Sequence, residues 1–180
     1  MKLLTGVINA LMGREWQDDI DVSAHALPRS FLAIALYVPL GLVVASAVVH
    51  YNDNTATPPY QTVAITLGLI GLAFPLIAYI LCMLFNKTAG FRPWVIVRNW
   101  AIFFALAAVA AIAGLYLAGL VPFALVYFMG FGLYLGTLAI DIRLAWRIAG
   151  FDWIGAVFAG ILISAATMMI LSQGVNQSIG

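Results

Sequence analysis

Two histidines, seven acids and eight basic residues carry nearly all the charge-based chemistry open to this 180-residue chain. His50 closes the first long apolar run and His25 precedes it. A single run separates the two, so across a bilayer they stand on opposite sides and cannot share one metal or haem. A four-ligand metal set therefore has no candidate, and each histidine reads as an interface residue. No Ser-His-Asp set, no HExxH and no phosphate-binding glycine loop occurs, so no catalytic residue and no cofactor is expected. Cys82 sits alone inside an apolar run and reads as a small core hydrophobe. The densest remaining chemistry is basic. Arg92, Arg98, Arg143 and Arg147 form a candidate patch for anionic headgroups or a partner. The simpler reading makes them topology markers that snorkel and pair locally with Asp141. Glu15, Asp18, Asp19 and Asp21 form a solvated segment or else pair with those arginines.

The elements that must position these groups are apolar. Hydrophobic residues make up 64% of the chain and charged residues 8%, against about 25% charged in a soluble domain. With so little polar surface, the bilayer is the natural solvent. A net charge of +1 gives no pull toward nucleic acid. Five apolar spans follow one another: 30–50, 60–85, 98–119, 121–140 and 153–172. Each has about the 20 residues that cross ~30 Å of hydrocarbon. Helices are required, because each segment must satisfy its own backbone polar groups. The expected fold is all-α, a polytopic bundle of five transmembrane helices. Leu3, Leu4, Val7, Ile8, Leu11, Met12 and Trp16 repeat at helical spacing, which predicts a short amphipathic helix over 2–16. It lies either in the membrane interface or against the bundle ends. The division is thus an N-terminal segment (1–29), the bundle (30–172) and a neutral tail (173–180).

Threaded this way, Lys2, Arg14, Arg29, Lys87, Arg92, Arg98, Arg143 and Arg147 all reach one side. Basic residues near spans stay cytoplasmic, so the N-terminus is expected inside and the C-terminus outside. The five tryptophans gather at the inner boundary, and Tyr51, Tyr60 and Tyr116 lie near the outer one. The outer loop 51–59 carries Asp53 and the Pro58-Pro59 stop. On these boundaries the span interiors hold no Asp, Glu, Lys, Arg or deep His. Ion-coupled transport normally needs such groups, so this absence argues against it.

Small residues mark the packing faces. Gly132 and Gly136 form a GxxxG in span four, and Ala156, Gly160 and Ser164 repeat its spacing in span five. These faces serve internal packing or contact with another subunit, and Gly132→Leu is expected to disturb span four. Pro39 and Pro75 should kink spans one and two. Tyr37, Tyr79, Tyr127 and Tyr134 could bond across helices or line a small cavity.

The stretch Thr88-Ala89-Gly90-Phe91-Arg92-Pro93-Trp94 through Ala101, with Tyr134-Leu135 through Ala149-Gly150, resembles Yip1-type membrane proteins. Their five spans and terminal orientation match, and the short N-terminal region is closer to small bacterial members. The resemblance implies a bacterial cytoplasmic membrane and a non-enzymatic role, and it transfers no catalytic residue. Two functions are expected from these readings. One is a non-catalytic scaffold or accessory subunit, partnered by the lipid bilayer and by another membrane protein or a second copy. The other is a small transporter, channel or lipid-handling protein. Cysteine-accessibility labelling is expected to find position 54 outside and position 90 inside, and the reverse pattern would overturn the orientation.

Overall fold

The computed structural model describes residues 2–52 and 57–179, with side chains through Gly174. Asp53 and position 54 of the expected outer loop, and the side chains of the tail beyond Gly174, lie outside those residues. Six helices make up the described chain: α1 (Lys2–Met12), α2 (Ala26–Asn52), α3 (Tyr60–Leu84), α4 (Thr88–Leu117), α5 (Phe123–Arg147) and α6 (Trp153–Ile179). Helices α2 to α6 are each long and apolar enough to cross a bilayer, so this is an integral membrane protein. At 1.5 Å per residue, even the 25-residue α5 reaches about 37 Å. The all-α bundle with its short leading helix is therefore as expected.

Three boundaries move. Helix α4 begins at Thr88, ten positions before the expected start of span three at residue 98. Pro93 and Gly90 mimic a loop in sequence, yet both lie inside the helix. Pro93 is the sixth residue of the helix, so its missing N–H removes one ladder bond, to Ala89 O, close to the N-terminal end. Helix α5 runs on to Arg147, past the expected end at residue 140. Helix α6 continues through Ile179, where a neutral tail is expected from residue 173.

The spanning helices close a ring in the order α2, α3, α6, α5, α4, with α3 also touching α4. Helix α4 is the hub. Trp94 through Asn99 are all buried, as befits a helix surrounded on every side. Trp94 packs edge-on to Phe74 and Phe151, so it belongs to the core and not to an interfacial belt. Tight turns with left-handed backbone join the helices, at Asn86 (φ 56°) between α3 and α4 and at glycines elsewhere. Gly119 (φ +75°) and Gly150 (φ +76°) terminate α4 and α5. Asp152 then caps α6 by accepting the Gly155 N–H at 2.9 Å.

Helix α1 packs against the bundle, one of the two placements expected for it. Val7 and Ala10 are buried at one end of the bundle, against α4 and α5, together with Ile20. Leu4, Ile8 and Met12 form a second, exposed apolar stripe on the same helix, suited to the bilayer interface. The following segment is short and polar. Within it Asp21 accepts the Ser23 N–H at 2.9 Å, which holds its carboxyl below the usual range. Among the described residues, none of the N-terminal acids pairs with an arginine.

Glycines split into two kinds. A Cβ at Gly71 would strike Ile34 of α2, one at Gly160 would strike Ile142 of α5, and Ala156 beside it is fully buried. Those close approaches hold α2 to α3 and α5 to α6. Gly132 and Gly136 differ, because a Cβ at either meets nothing within 4 Å. Gly90 approaches backbone, with a would-be Cβ 2.6 Å from Ala149 Cα. A cysteine there would disturb the fold, so the exposed Lys87 is the better labelling position. Gly160→Leu is expected to destabilise the bundle by about 1–3 kcal/mol through overpacking. Gly132→Leu should leave the melting temperature in mild detergent unchanged, which corrects the expectation from its GxxxG spacing. Equal losses from both variants would refute this division.

Candidate functional site

Lengthening α4 and α5 moves two charges indoors. Arg98 stands ten residues into α4, roughly 15 Å from its start. Asp141 stands six residues before the end of α5, roughly 9 Å deep. The two meet: Arg98 Nε donates to Asp141 Oδ1 at 3.0 Å and Nη2 donates to Oδ2 at 3.3 Å. Their side chains are 4% and 2% exposed. This is the one ion pair among the described residues, and it contradicts the expectation of a charge-free interior.

The surroundings explain why the pair is tolerated. Removing two charges from water costs several kcal/mol each, and only good geometry offsets it. A fork-to-fork arrangement satisfies both carboxylate oxygens at once. The Phe74 ring covers the guanidinium, with Cζ 4.1 Å from its centroid. A polar chain continues from the same turn of α4. Tyr37 donates its hydroxyl to Asn99 O at 2.9 Å, and Asn99 Nδ2 donates to Ser30 Oγ at 3.1 Å. Ser30 in turn donates to Leu27 O at 2.7 Å. Helices α2, α4 and α5 are thereby tied together by polar contacts near one level. Asn99 Oδ1 and Trp94 Nε1 are enclosed without a partner.

Above the pair, away from the α1 end, lies a cavity of about 250 Å³. All five spanning helices line it: Tyr37 from α2, Leu67 and Ile70 from α3, Ile102 and Leu106 from α4, Leu133, Tyr134 and Thr137 from α5, and Ser164, Thr167 and Leu171 from α6. Arg98 and Asp141 form its floor. The walls are mostly apolar, with a few hydroxyls set among them. Thr137 donates back to Tyr134 O at 2.7 Å. The hydroxyls of Tyr134, Ser164 and Thr167 have no hydrogen-bond partner among the described residues.

The four patch arginines are dispersed. Arg92, Arg143 and Arg147 are exposed at the α1 end, and Arg147 stacks on Trp146 at 4.0 Å. Arg98 is buried and cannot join them. Of the packing residues, Gly160 meets α5, Ala156 is fully buried, and Ser164 faces the cavity. Gly132 and Gly136 line a shallow groove on the α4–α5 surface, beside Ala105 and Ala108. Tyr37 and Tyr134 reach the cavity, Tyr79 packs against Phe91, and Tyr127 is exposed. Among the described residues no three His, Cys, Asp or Glu side chains group as metal ligands. An arginine partner for Asp141 is expected from the sequence, but its burial is not, because Arg143 and Arg147 make its stretch look like a loop. A signal was present at Arg98: it is the sole charge between Pro93 and Gly119.

Fold and site together define an integral membrane protein of five spanning helices, enclosing a cavity that ends on a buried arginine–aspartate pair. No family model matches the chain, and neither the curated proteins nor the solved structures contain a match.

Removing either partner strands a charge. Arg98→Leu or Asp141→Leu is expected to lower stability by about 3–5 kcal/mol. The double variant should lose less than either single one, as measured by unfolding in mild detergent. Additive losses would show that the pair is not coupled.

Proposed function

We propose that this chain is a small transporter or lipid-handling protein that binds its cargo in the central cavity. One observation carries the reading: all five spans converge on a cavity whose floor is a buried Arg98–Asp141 pair. Ionisable groups at membrane depth are costly and mark working sites. The scaffold reading drew on an interior without charge, and that premise is gone. At roughly 30 Å³ per water, the cavity holds about eight waters or one small molecule. The role is binding and passage, not catalysis. The one carboxylate at the site is already engaged by the guanidinium, leaving no free acid–base pair for chemistry. In this reading the α1 end faces the cytoplasm of a bacterial cell, because the exposed basic residues collect there.

A second reading keeps the scaffold or accessory role implied by the Yip1-type resemblance. Helix α5 supports it: Val126, Asp141, Leu144 and Ala145 are its buried residues, and the Gly132–Gly136 groove stands open. Another membrane helix could close that face.

Liposome flux separates the two. Purified protein in sealed vesicles should pass small neutral solutes or scramble lipid faster than empty vesicles. Leu133→Trp, which fills the cavity, should return the rate to that of empty vesicles. No activity across solutes and lipids would refute the transport reading, and a stable co-purifying partner would then favour the second.

A further inference from the structure

The floor of the cavity is charge-balanced, and this restricts what can sit on it. Arg98 uses Nε and Nη2 on Asp141, and its Nη1 has no acceptor among the described residues. Nη1 is also not among the enclosed, unpartnered atoms, so it keeps some exposed surface on a side chain that lines the cavity. Each Asp141 oxygen accepts one hydrogen bond and keeps a further lone pair. A donor and an acceptor therefore lie side by side at the same floor. An anionic head drawn to Nη1 would meet the Asp141 carboxylate at close range. A cationic head drawn to Asp141 would meet the guanidinium. With both side chains buried, neither repulsion is well screened. A neutral group that both donates and accepts, such as a hydroxyl or a primary amide, satisfies both atoms.

The opposite end of the cavity indicates the rest of the molecule. Gly130 lines the cavity, and it also lines a cleft of about 510 Å³ between α2 and α5. That cleft is walled by Val44, Val48, Phe123 and Phe131, and α2 and α5 barely touch along it. A Cβ on Gly130 would meet nothing within 4 Å, so this shared lining residue leaves space where the two meet. From Asp141 to Gly130 is eleven residues of α5, roughly 16 Å, the reach of a chain of about twelve carbons.

Resting on the cavity reading above, the geometry points to a neutral-headed, single-chain amphiphile as the bound molecule. Its hydroxyl or amide head sits on Arg98 and Asp141, and its tail passes Gly130 into the α2–α5 cleft. The molecule enters sideways from the lipid at the end of the bundle opposite α1.

The test uses the full-length protein in phosphatidylcholine vesicles. The probe is dodecanol bearing a mid-chain photoactivatable diazirine, and peptide mapping locates the adducts. Adducts are expected on cavity residues such as Leu133 and Tyr134, at the mid-chain level. Unlabelled dodecanol should remove them. Dodecyl phosphate and dodecyltrimethylammonium, at equal membrane concentration, should compete at least roughly tenfold less well. Gly130→Phe should cut cavity labelling by about the same factor, while Gly130→Ala should not. If Gly130→Phe unfolds, Val48→Trp narrows the same cleft from α2 and should act alike. Equal competition by either charged amphiphile overturns the neutral-head assignment. Unchanged labelling with a plugged cleft overturns the lateral route. A diazirine-bearing butanol that labels the cavity when dodecanol does not would retain the cavity reading and refute the amphiphile. An absence of cavity adducts from both probes would refute both.

Discussion

Everything in this bundle is arranged around one expensive contact, the bidentate Arg98–Asp141 pair between α4 and α5. A buried guanidinium and carboxylate repay their desolvation only if they meet squarely and their remaining hydrogen-bonding capacity is met. That demand accounts for several neighbours. Phe74 lies across the guanidinium. Trp94 and Val95 to Val97 keep the surrounding turn of α4 sealed. Tyr37 and Ser30 hold the same turn from α2 through Asn99. Remove the pair, and the reason for so polar a belt inside so apolar a bundle disappears.

The rest of the packing divides the labour. Close glycine contacts at Gly71 and Gly160 bring α2 to α3 and α5 to α6, fixing the ring by shape alone. The α4–α5 contact differs, since its best-defined point is electrostatic. On the outward side of that seam, Gly132 and Gly136 leave a groove where a small-residue motif normally marks a helix crossing. The same helix thus carries a charged anchor on one face and an unfilled groove on another. Its buried residues are correspondingly few.

The five-span plan was legible because length and apolar content are read directly from composition, and the positions of α2 and α3 followed within a few residues. The site was not legible, for a local reason. Gly90, Arg92 and Pro93 together look like a loop, and Arg143 and Arg147 look like another. Tertiary burial overrides both signals by continuing each helix through the apparent loop. Trp94-Val95-Ile96-Val97 belonged with the run after Arg98, and Ile140, Leu144 and Ala145 continued the apolar face around Asp141. Reading those runs as continuous would have placed both charges indoors. Spacing within α5 also misplaced the role of Gly132, because a GxxxG pattern states that a helix could approach there and not that one does.

The separation of the paired residues has a consequence for how the protein is made. Arg98 and Asp141 are 43 positions apart in the chain. During synthesis α4 therefore meets the bilayer with a bare guanidinium, before its counter-charge exists. A lone arginine near the centre of an inserting helix costs about 2.5–3.5 kcal/mol. The 30-residue length and apolar remainder of α4 can carry that cost, but the helix becomes comfortable only when α5 arrives. The tight Gly119 turn keeps the wait short. The cost of burying Arg98 is therefore offset only once α5 has packed against α4.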